Sequence, residues 1–256
     1  MPQSKPVKER PDYGNWVSSK WLYVPGGAGI LFLGLSFLEP VSIVGAVVSL
    51  VIFAYFSYAR YEFSPHGGGI EDRIRWLVLD QLDWDGTGTV LDIGCGNGPL
   101  TIAAAKRFPG AKATGVDSWG TKWEYSKATC EKNAVIEGVR ERVSFMKIDA
   151  AAMPFEDGAF DAAVSNLVFH EVRSEKGKRE VVKEALRVVR KGGAFSFQDP
   201  FLSSARYGDI DSLLKEIRSW GVQEVKFIDT GRSTFIPRPL RISFMVGGMA
   251  IIRGRK

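Results

Sequence analysis

Val90-Leu91-Asp92-Ile93-Gly94-Cys95-Gly96-Asn97-Gly98 decides the fold. An apolar run ends in three glycines at alternate positions, and a helical pattern follows from Pro99 to Arg107. Strand, glycine turn and helix in that order put the loop at the carboxyl end of a strand and the amino end of a helix. Glycine takes positive φ at little steric cost and lets a ligand approach the backbone. The free N–H groups of the helix start add partial positive charge. The dinucleotide fingerprint Gly-x-Gly-x-x-Gly would need a glycine at position 99, where Pro99 stands. The pattern here is Gly-x-Gly-x-Gly, with Asp92 two residues ahead. A carboxylate there suits a ligand carrying a positive amino group and no phosphate.

Outward from this loop, strand-like runs alternate with helical patterns. The strands are Thr89–Ile93, Ala113–Val116, Val143–Ile148, Phe160–Ser165, Ala194–Gln198, Val222–Ile228 and Arg241–Ile252. The helices are Ile70–Leu82, Pro99–Arg107, Lys122–Ile136, Lys176–Arg190 and Ile210–Trp220. The alternation predicts an α/β fold, a parallel sheet with helices on both faces. The last two strand runs lack an intervening helix, which predicts an antiparallel hairpin at the sheet edge.

Toward the amino terminus the composition changes. No charged residue lies between Lys20 and Glu39 or between Glu39 and Arg60. As helices rising about 1.5 Å per residue, both stretches approach the roughly 30 Å hydrocarbon core of a bilayer. Pro40 can open the second helix. The reading is a two-helix transmembrane hairpin over residues 21–60. It is preceded by a cytoplasmic segment over 1–20, and followed by a Gly-rich linker over 61–69 and a globular domain over 70–256. Lys5, Lys8, Arg10 and Lys20 precede the first span and Arg60 follows the second, while the turn has no Lys or Arg. Both ends then face the cytoplasm, with the globular domain on that side of the membrane. Trp16, Trp21 and Tyr23 at the entry and Tyr55, Tyr58 and Tyr61 at the exit fit one interface. Pro25, Gly26, Gly27, Gly29 and Gly34 weaken the first span; they fit close helix packing or a re-entrant segment. A buried helical hairpin of a soluble protein is the blander alternative.

The 256 residues carry a net charge of +5, which suits an anionic lipid surface. No dense Lys/Arg run interleaved with aromatics points to nucleic acid. The two cysteines, Cys95 and Cys130, build neither a disulfide framework nor a zinc site, and no metal is expected. Nothing in the sequence sets an oligomeric state.

From about residue 70 to 200 the chain resembles the class I S-adenosylmethionine-dependent methyltransferases, in particular the quinone-biosynthesis and type 11 branch. The resemblance runs through four motifs in order. It implies a Rossmann-like seven-stranded sheet and S-adenosyl-L-methionine as cofactor. Asp92, Gly94, Cys95, Gly96 and Gly98 match the first motif; the glycine loop would line the methionine part, with Asp92 near its amino group. In Gly115-Val116-Asp117-Ser118, Asp117 would accept both ribose hydroxyls, and Ser118 or Trp119 would flank the adenine. In Asp149-Ala150-Ala151-Ala152-Met153-Pro154-Phe155, Asp149 would accept from the adenine amino group and the Ala150 N–H would meet the ring. Leu186 to Gly193 matches the fourth motif, with Lys191 where the family usually has proline.

Ligands of open α/β sheets sit beyond the carboxyl ends of the strands. Asn166, Phe169, His170 and Glu171 follow the fourth strand, and Asp199 and Pro200 follow the fifth. Asn166 joins the cofactor contacts. His170 is the catalytic candidate, because an imidazole can accept a proton near neutral pH; packing at a helix start is its alternative role. His66 reads as a linker residue at the lipid surface. Asp12-Tyr13-Gly14-Asn15-Trp16 reads as an interfacial anchor in preference to a lid. Arg232, Arg238 and Arg241 read as a solvated loop facing an anionic membrane. The resulting expectation is a membrane-anchored methyltransferase acting on a small-molecule or lipid-like acceptor. The alternatives are a non-catalytic, membrane-tethered cofactor-binding scaffold and a nicotinamide oxidoreductase, the latter disfavoured by Pro99.

Overall fold

The computed structural model describes residues 9–120, 125–175 and 177–256. Lys5 and Lys8, and the expected helix starts at Lys122 and Lys176, lie outside the described residues. Two compact units emerge: Asn15–Ile74, and the described residues up to Gly14 together with Arg75–Lys256.

In the first unit, α1 spans Lys20–Leu35 and α2 spans Ser42–Phe63. They pair as an antiparallel helical hairpin, with Trp21 stacked on Phe56 at 5.0 Å between ring centroids. Small residues allow the approach: a Cβ at Gly29 would come 3.0 Å from Leu50, and one at Gly45 2.9 Å from Phe32. At the open end the Asn15 Nδ2 donates to the Arg60 carbonyl at 3.1 Å, and the Arg60 guanidinium donates to the Val17 carbonyl. Among the described helices, α2, at 22 residues, is the one long and apolar enough to cross a membrane. Its partner has 16 residues with Pro25 inside, and at about 1.5 Å per residue reaches only roughly 24 Å. Val24, Ile30, Leu31, Val44, Val51 and other apolar side chains stand exposed on the two helices.

α3, Ile70–Asp80, leads into the second unit, whose centre is a seven-stranded sheet. Its strands are β1 (Gly88–Ile93), β2 (Ala111–Asp117), β3 (Val143–Lys147), β4 (Phe160–Asn166), β5 (Val189–Asp199), β6 (Glu224–Asp229) and β7 (Ala250–Arg255). The order is β3-β2-β1-β4-β5-β7-β6. The first five strands are parallel, and β7 runs antiparallel between β5 and β6. The order reverses between β1 and β4, so the loops after them diverge and open a crevice.

Alternation along β1 divides the core. Leu91 and Ile93 pack with Phe160, Phe169 and the helices α6 (Lys178–Arg187) and α8 (Ile210–Ser219) on one face. Val90 packs with Val78, Leu100 and Ala134 on the other, where α3, α4 (Pro99–Arg107) and α5 (Lys127–Ile136) lie. Local chemistry sets the helix starts. Pro99 opens α4 behind Gly98, Ser126 caps α5 by accepting from the Thr129 N–H, and Asp209 caps α8 by accepting from the Ser212 N–H.

Several expected boundaries move. The sixth helix ends at Arg187 rather than Arg190, because Val189 already pairs with Phe160 in the sheet. The last strand begins at Ala250, well after Arg241. Gly247 breaks the apolar run by turning back, its N–H donating to the Ile242 carbonyl at 2.9 Å. A Cβ there would lie 2.0 Å from the Arg241 carbonyl oxygen.

Candidate active site

The glycine loop leaves β1 with Gly94, Gly96 and Gly98 all at positive φ, +75°, +56° and +83°. A side chain at Gly94 would put its Cβ 2.2 Å from Val168, so the loop lies flush against the segment after β4. Gly94 and Cys95 both donate their N–H to the Val116 carbonyl, at 2.7 and 3.0 Å, tying the loop to β2. Burial pushes the Cys95 thiol up, so it stays protonated and packs as a small apolar group. The Gly96 carbonyl accepts from the Trp119 indole at 2.8 Å and from the Cys130 thiol at 3.1 Å.

Asp117 ends β2 beside this loop. Its Oδ2 accepts the Gly96 N–H at 2.9 Å and its Oδ1 the Trp119 N–H at 2.8 Å. Burial raises its pKa against these backbone hydrogen bonds. Trp119 holds φ +40°, a strained conformation outside glycine, and such strain clusters at ligand sites. The Ser118 N–H bonds the same carboxylate, which as an acceptor of about four hydrogen bonds keeps capacity for a ligand hydroxyl. Ser118 beside it is exposed. The Ile148 N–H donates to the Asp117 carbonyl at 3.0 Å, which brings the loop after β3 alongside. There Asp149 is exposed, with Oδ1 accepting the Ala151 N–H at 2.9 Å, and Ala150 is buried.

Asp92 lies one layer deeper, 2% exposed, on the α4 side of the sheet. Its Oδ2 accepts the Thr101 hydroxyl at 2.6 Å, and burial pushes its pKa up to about 7. Asn166 ends β4 with a buried Oδ1 that has no hydrogen-bond partner. Leu167 follows at φ +59°. An orphaned buried acceptor beside a strained residue at a strand tip is the usual condition of a ligand contact.

His170 lies four residues past the end of β4, two beyond the Val168 that abuts Gly94. The chain brings it to the tip of β5, where Asp199 is fully buried. Asp199 accepts the His170 backbone N–H on Oδ2 at 3.0 Å and faces Nδ1 of the ring with Oδ1 at 3.0 Å. The Tyr207 hydroxyl, from the short helix α7 (Ser204–Tyr207), also donates to Oδ2. Burial and the Asp199 charge push the Tyr207 phenol well above its ordinary range, so it serves as a donor. Glu171 Oε1 stands 3.6 Å from His170 Nε2.

Several site residues carried no sequence signal. Tyr207 sits eight positions past Asp199 in no motif. Asn133, 1% exposed on α5, clamps the amino-terminal segment: its Oδ1 accepts the Asp12 N–H at 2.9 Å and its Nδ2 donates to the Asp12 carbonyl at 2.8 Å. The same Nδ2 reaches the Asn97 carbonyl of the glycine loop at 3.0 Å. Asp12 and Gly14, expected as an interfacial anchor, therefore strap the glycine loop, with Gly14 against Tyr125. The reason is that the Asn133 amide offers a donor and an acceptor in the spacing of a peptide group. His66 lies exposed in the turn between α2 and α3. Arg241 braces its own loop by donating to the Ile236 and Ser233 carbonyls, while Arg232 and Arg238 are exposed. Among the described residues no cluster of His, Cys, Asp or Glu could hold a metal ion.

Known proteins resemble the chain across this region. Residues 90–193 match the family model for a methyltransferase domain. A sterol 4-C-methyltransferase of Caenorhabditis elegans is 32% identical over 168 residues, 63% of this chain and 47% of that protein. A demethylmenaquinone methyltransferase of Lactococcus lactis is 31% identical over 106 residues, 41% of this chain and 39% of that protein. The chain spans about half the length, or less, of these curated relatives. Among solved structures, geranyl diphosphate C-methyltransferase of Streptomyces coelicolor, with Mg2+, geranyl diphosphate and S-adenosyl-L-homocysteine, superposes with a TM-score of 0.54. It is 17% identical, over 72% of this chain and 79% of that one, and the likeness is one of fold. Motif, sheet order and family match converge: residues 90–193 form a class I, S-adenosylmethionine-dependent methyltransferase domain on a Rossmann-like sheet.

Proposed function

We propose that this protein transfers a methyl group from S-adenosyl-L-methionine to a small hydrophobic acceptor at a membrane. The observation that carries the donor assignment is Asp117, whose two oxygens are aimed by the Gly96 and Trp119 N–H groups at the tip of β2 beside the glycine loop. Gly94, Cys95, Gly96 and Gly98 would hold the methionine part and Asp92 would offset its amino charge. Asp117 and Ser118 would hold the ribose, Asp149 and Ala150 the adenine, and the orphaned Asn166 Oδ1 would take a remaining donor. When bound, the cofactor supplies an activated methyl group on a sulfonium. The protein's contribution is mainly alignment, which can lower a bimolecular barrier by about 7–11 kcal/mol at best. His170 would meet the acceptor.

The hydrophobic acceptor is supported by relatives named for sterol and demethylmenaquinone substrates. Membrane anchoring is supported by α2, by the apolar surface of both helices of the hairpin, and by Lys20 and Arg60 at its open end, which favour a cytoplasmic catalytic domain.

Calorimetry on the full-length chain in detergent tests the donor. S-adenosylhomocysteine is expected to bind and NAD not to bind, and Asp117→Ala is expected to weaken the former. Absent sulfur-ligand binding would leave a tethered scaffold as the better reading. Carbonate extraction of expressing cells tests the anchor: the chain should stay in the pellet, and release into the supernatant would refute it.

A further inference from the structure

The tip of β5 carries an arrangement that cofactor binding does not require. Asp199 ends β5, paired with Ala250 of β7, and is sealed from solvent. Two donors, the His170 backbone N–H and the Tyr207 hydroxyl, converge on its Oδ2. That leaves Oδ1 to accept from the ring at Nδ1, 3.0 Å away. An imidazole that donates through Nδ1 presents a lone pair on Nε2. The His170 side chain is partly open to solvent.

We propose that Asp199 and Tyr207 are positioning residues that lock His170 into the tautomer with a free Nε2, and that the methyl acceptor is one that sheds a proton on methylation, which His170 takes. The proposal rests on the methyltransferase reading above. An electron pair of the acceptor forms the bond to the methyl carbon as the carbon–sulfur bond breaks. The pair of the broken bond stays on sulfur, which leaves as a neutral thioether. The proton the acceptor sheds passes to Nε2, and the resulting imidazolium is paired through Nδ1 with Asp199. An acceptor with no proton to lose, such as a tertiary amine, has no use for this relay. Tyr207 acts at one remove: it occupies Oδ2, so that the carboxylate cannot rotate to offer the ring a different oxygen. The other carboxylate near the ring is Glu171, beyond hydrogen-bond distance of Nε2 in this arrangement.

The chain has only two histidines, so a His66→Ala protein labelled with 15N-histidine gives a single imidazole signal. Long-range 1H–15N spectra of the full-length chain in detergent at pH 8 should show Nδ1 protonated and Nε2 bare. Asp199→Asn should convert the signal to the Nε2–H form or to a mixture, and Tyr207→Phe should shift the Nδ1 resonance while keeping the tautomer. An Nε2–H tautomer or an imidazolium in the His66→Ala protein overturns the proposal, even if Asp199→Asn fails to fold. So does an unchanged tautomer in a folded Asp199→Asn. Titrating the same sample with S-adenosylhomocysteine separates the two readings. Binding together with the wrong tautomer sinks the relay alone; the right tautomer without binding sinks the methyltransferase reading.

Discussion

Asp92 on β1 and Asp199 on β5 are both buried carboxylates near the carboxyl ends of their strands, yet they are held in opposite ways. Asp92 is 2% exposed and takes its hydrogen bonds from Thr101, and burial prevails, pushing its pKa from 3.8 to about 7. Asp199 is fully buried, and three donors converge on it. Similar depth comes with different surroundings: a single hydroxyl faces Asp92, whereas donors from two segments meet at Asp199. Asp92 is held in suspense until a positive partner arrives, whereas Asp199 already has the partners it organises.

The sharpest way to break this comparison is Asp199→Ala. It strands the His170 and Tyr207 donors in the core and should cost roughly 3–5 kcal/mol of stability, read as a lower denaturation midpoint in urea. A cost below about 1 kcal/mol would mean that the three donors are not committed to it.

Asp92 should show the reverse sign. Its folded-state pKa is raised, so its contribution to stability is complete below about pH 4 and is lost as pH rises through about 7. The ligand-free protein should lose a few kcal/mol across that window, and Asp92→Asn should flatten the loss in urea melts taken from pH 4 to 8. The same logic applies to the cofactor. If its amino group pairs with Asp92, binding of S-adenosylhomocysteine near pH 6.5 should release a fraction of a proton, measured as a buffer-dependent enthalpy, and Asp92→Asn should abolish that release.

Asp117→Ala removes the acceptor aimed at the ribose, and each hydrogen bond to a charged group contributes about 1.5–3 kcal/mol. The dissociation constant for S-adenosylhomocysteine should rise by about 10- to 100-fold in calorimetry, with little change in melting temperature. Tyr207→Phe is the mildest probe. It removes one of three donors from Asp199 and should lower stability by about 1 kcal/mol while cofactor affinity is unchanged. A weakened affinity would mean that the β5 tip and the glycine loop are not separable.

The two regions also differ in how far they could be read in advance. The glycine loop, Asp117 and Asp149 are local signals: each sits at the end of a strand run, and a strand followed by glycine or a carboxylate reads the same way in one dimension as in three. The first six strand runs and the α4 boundaries at Pro99 and Arg107 were legible for that reason. The final strand was not, because apolar residues from Arg241 onward look strand-like until Gly247 folds the chain back on Arg241. The first apolar stretch likewise lost length where the α1–α2 turn consumed Ser36 to Val41.

The sequence alone determined the class of fold and the family of the cofactor, because strand periodicity, glycine spacing and Asp117 are properties of contiguous residues. Only the tertiary structure decided what surrounds each site residue. His170, Asp199 and Tyr207 come together because the β4 and β5 tips are neighbours in the sheet and α7 folds back over them. Asp12 reaches Asn97 only through the buried Asn133 amide. Hydrogen bonds between side chains so distant along the chain depend on the packing of the sheet and helices, and no spacing rule in the sequence encodes them.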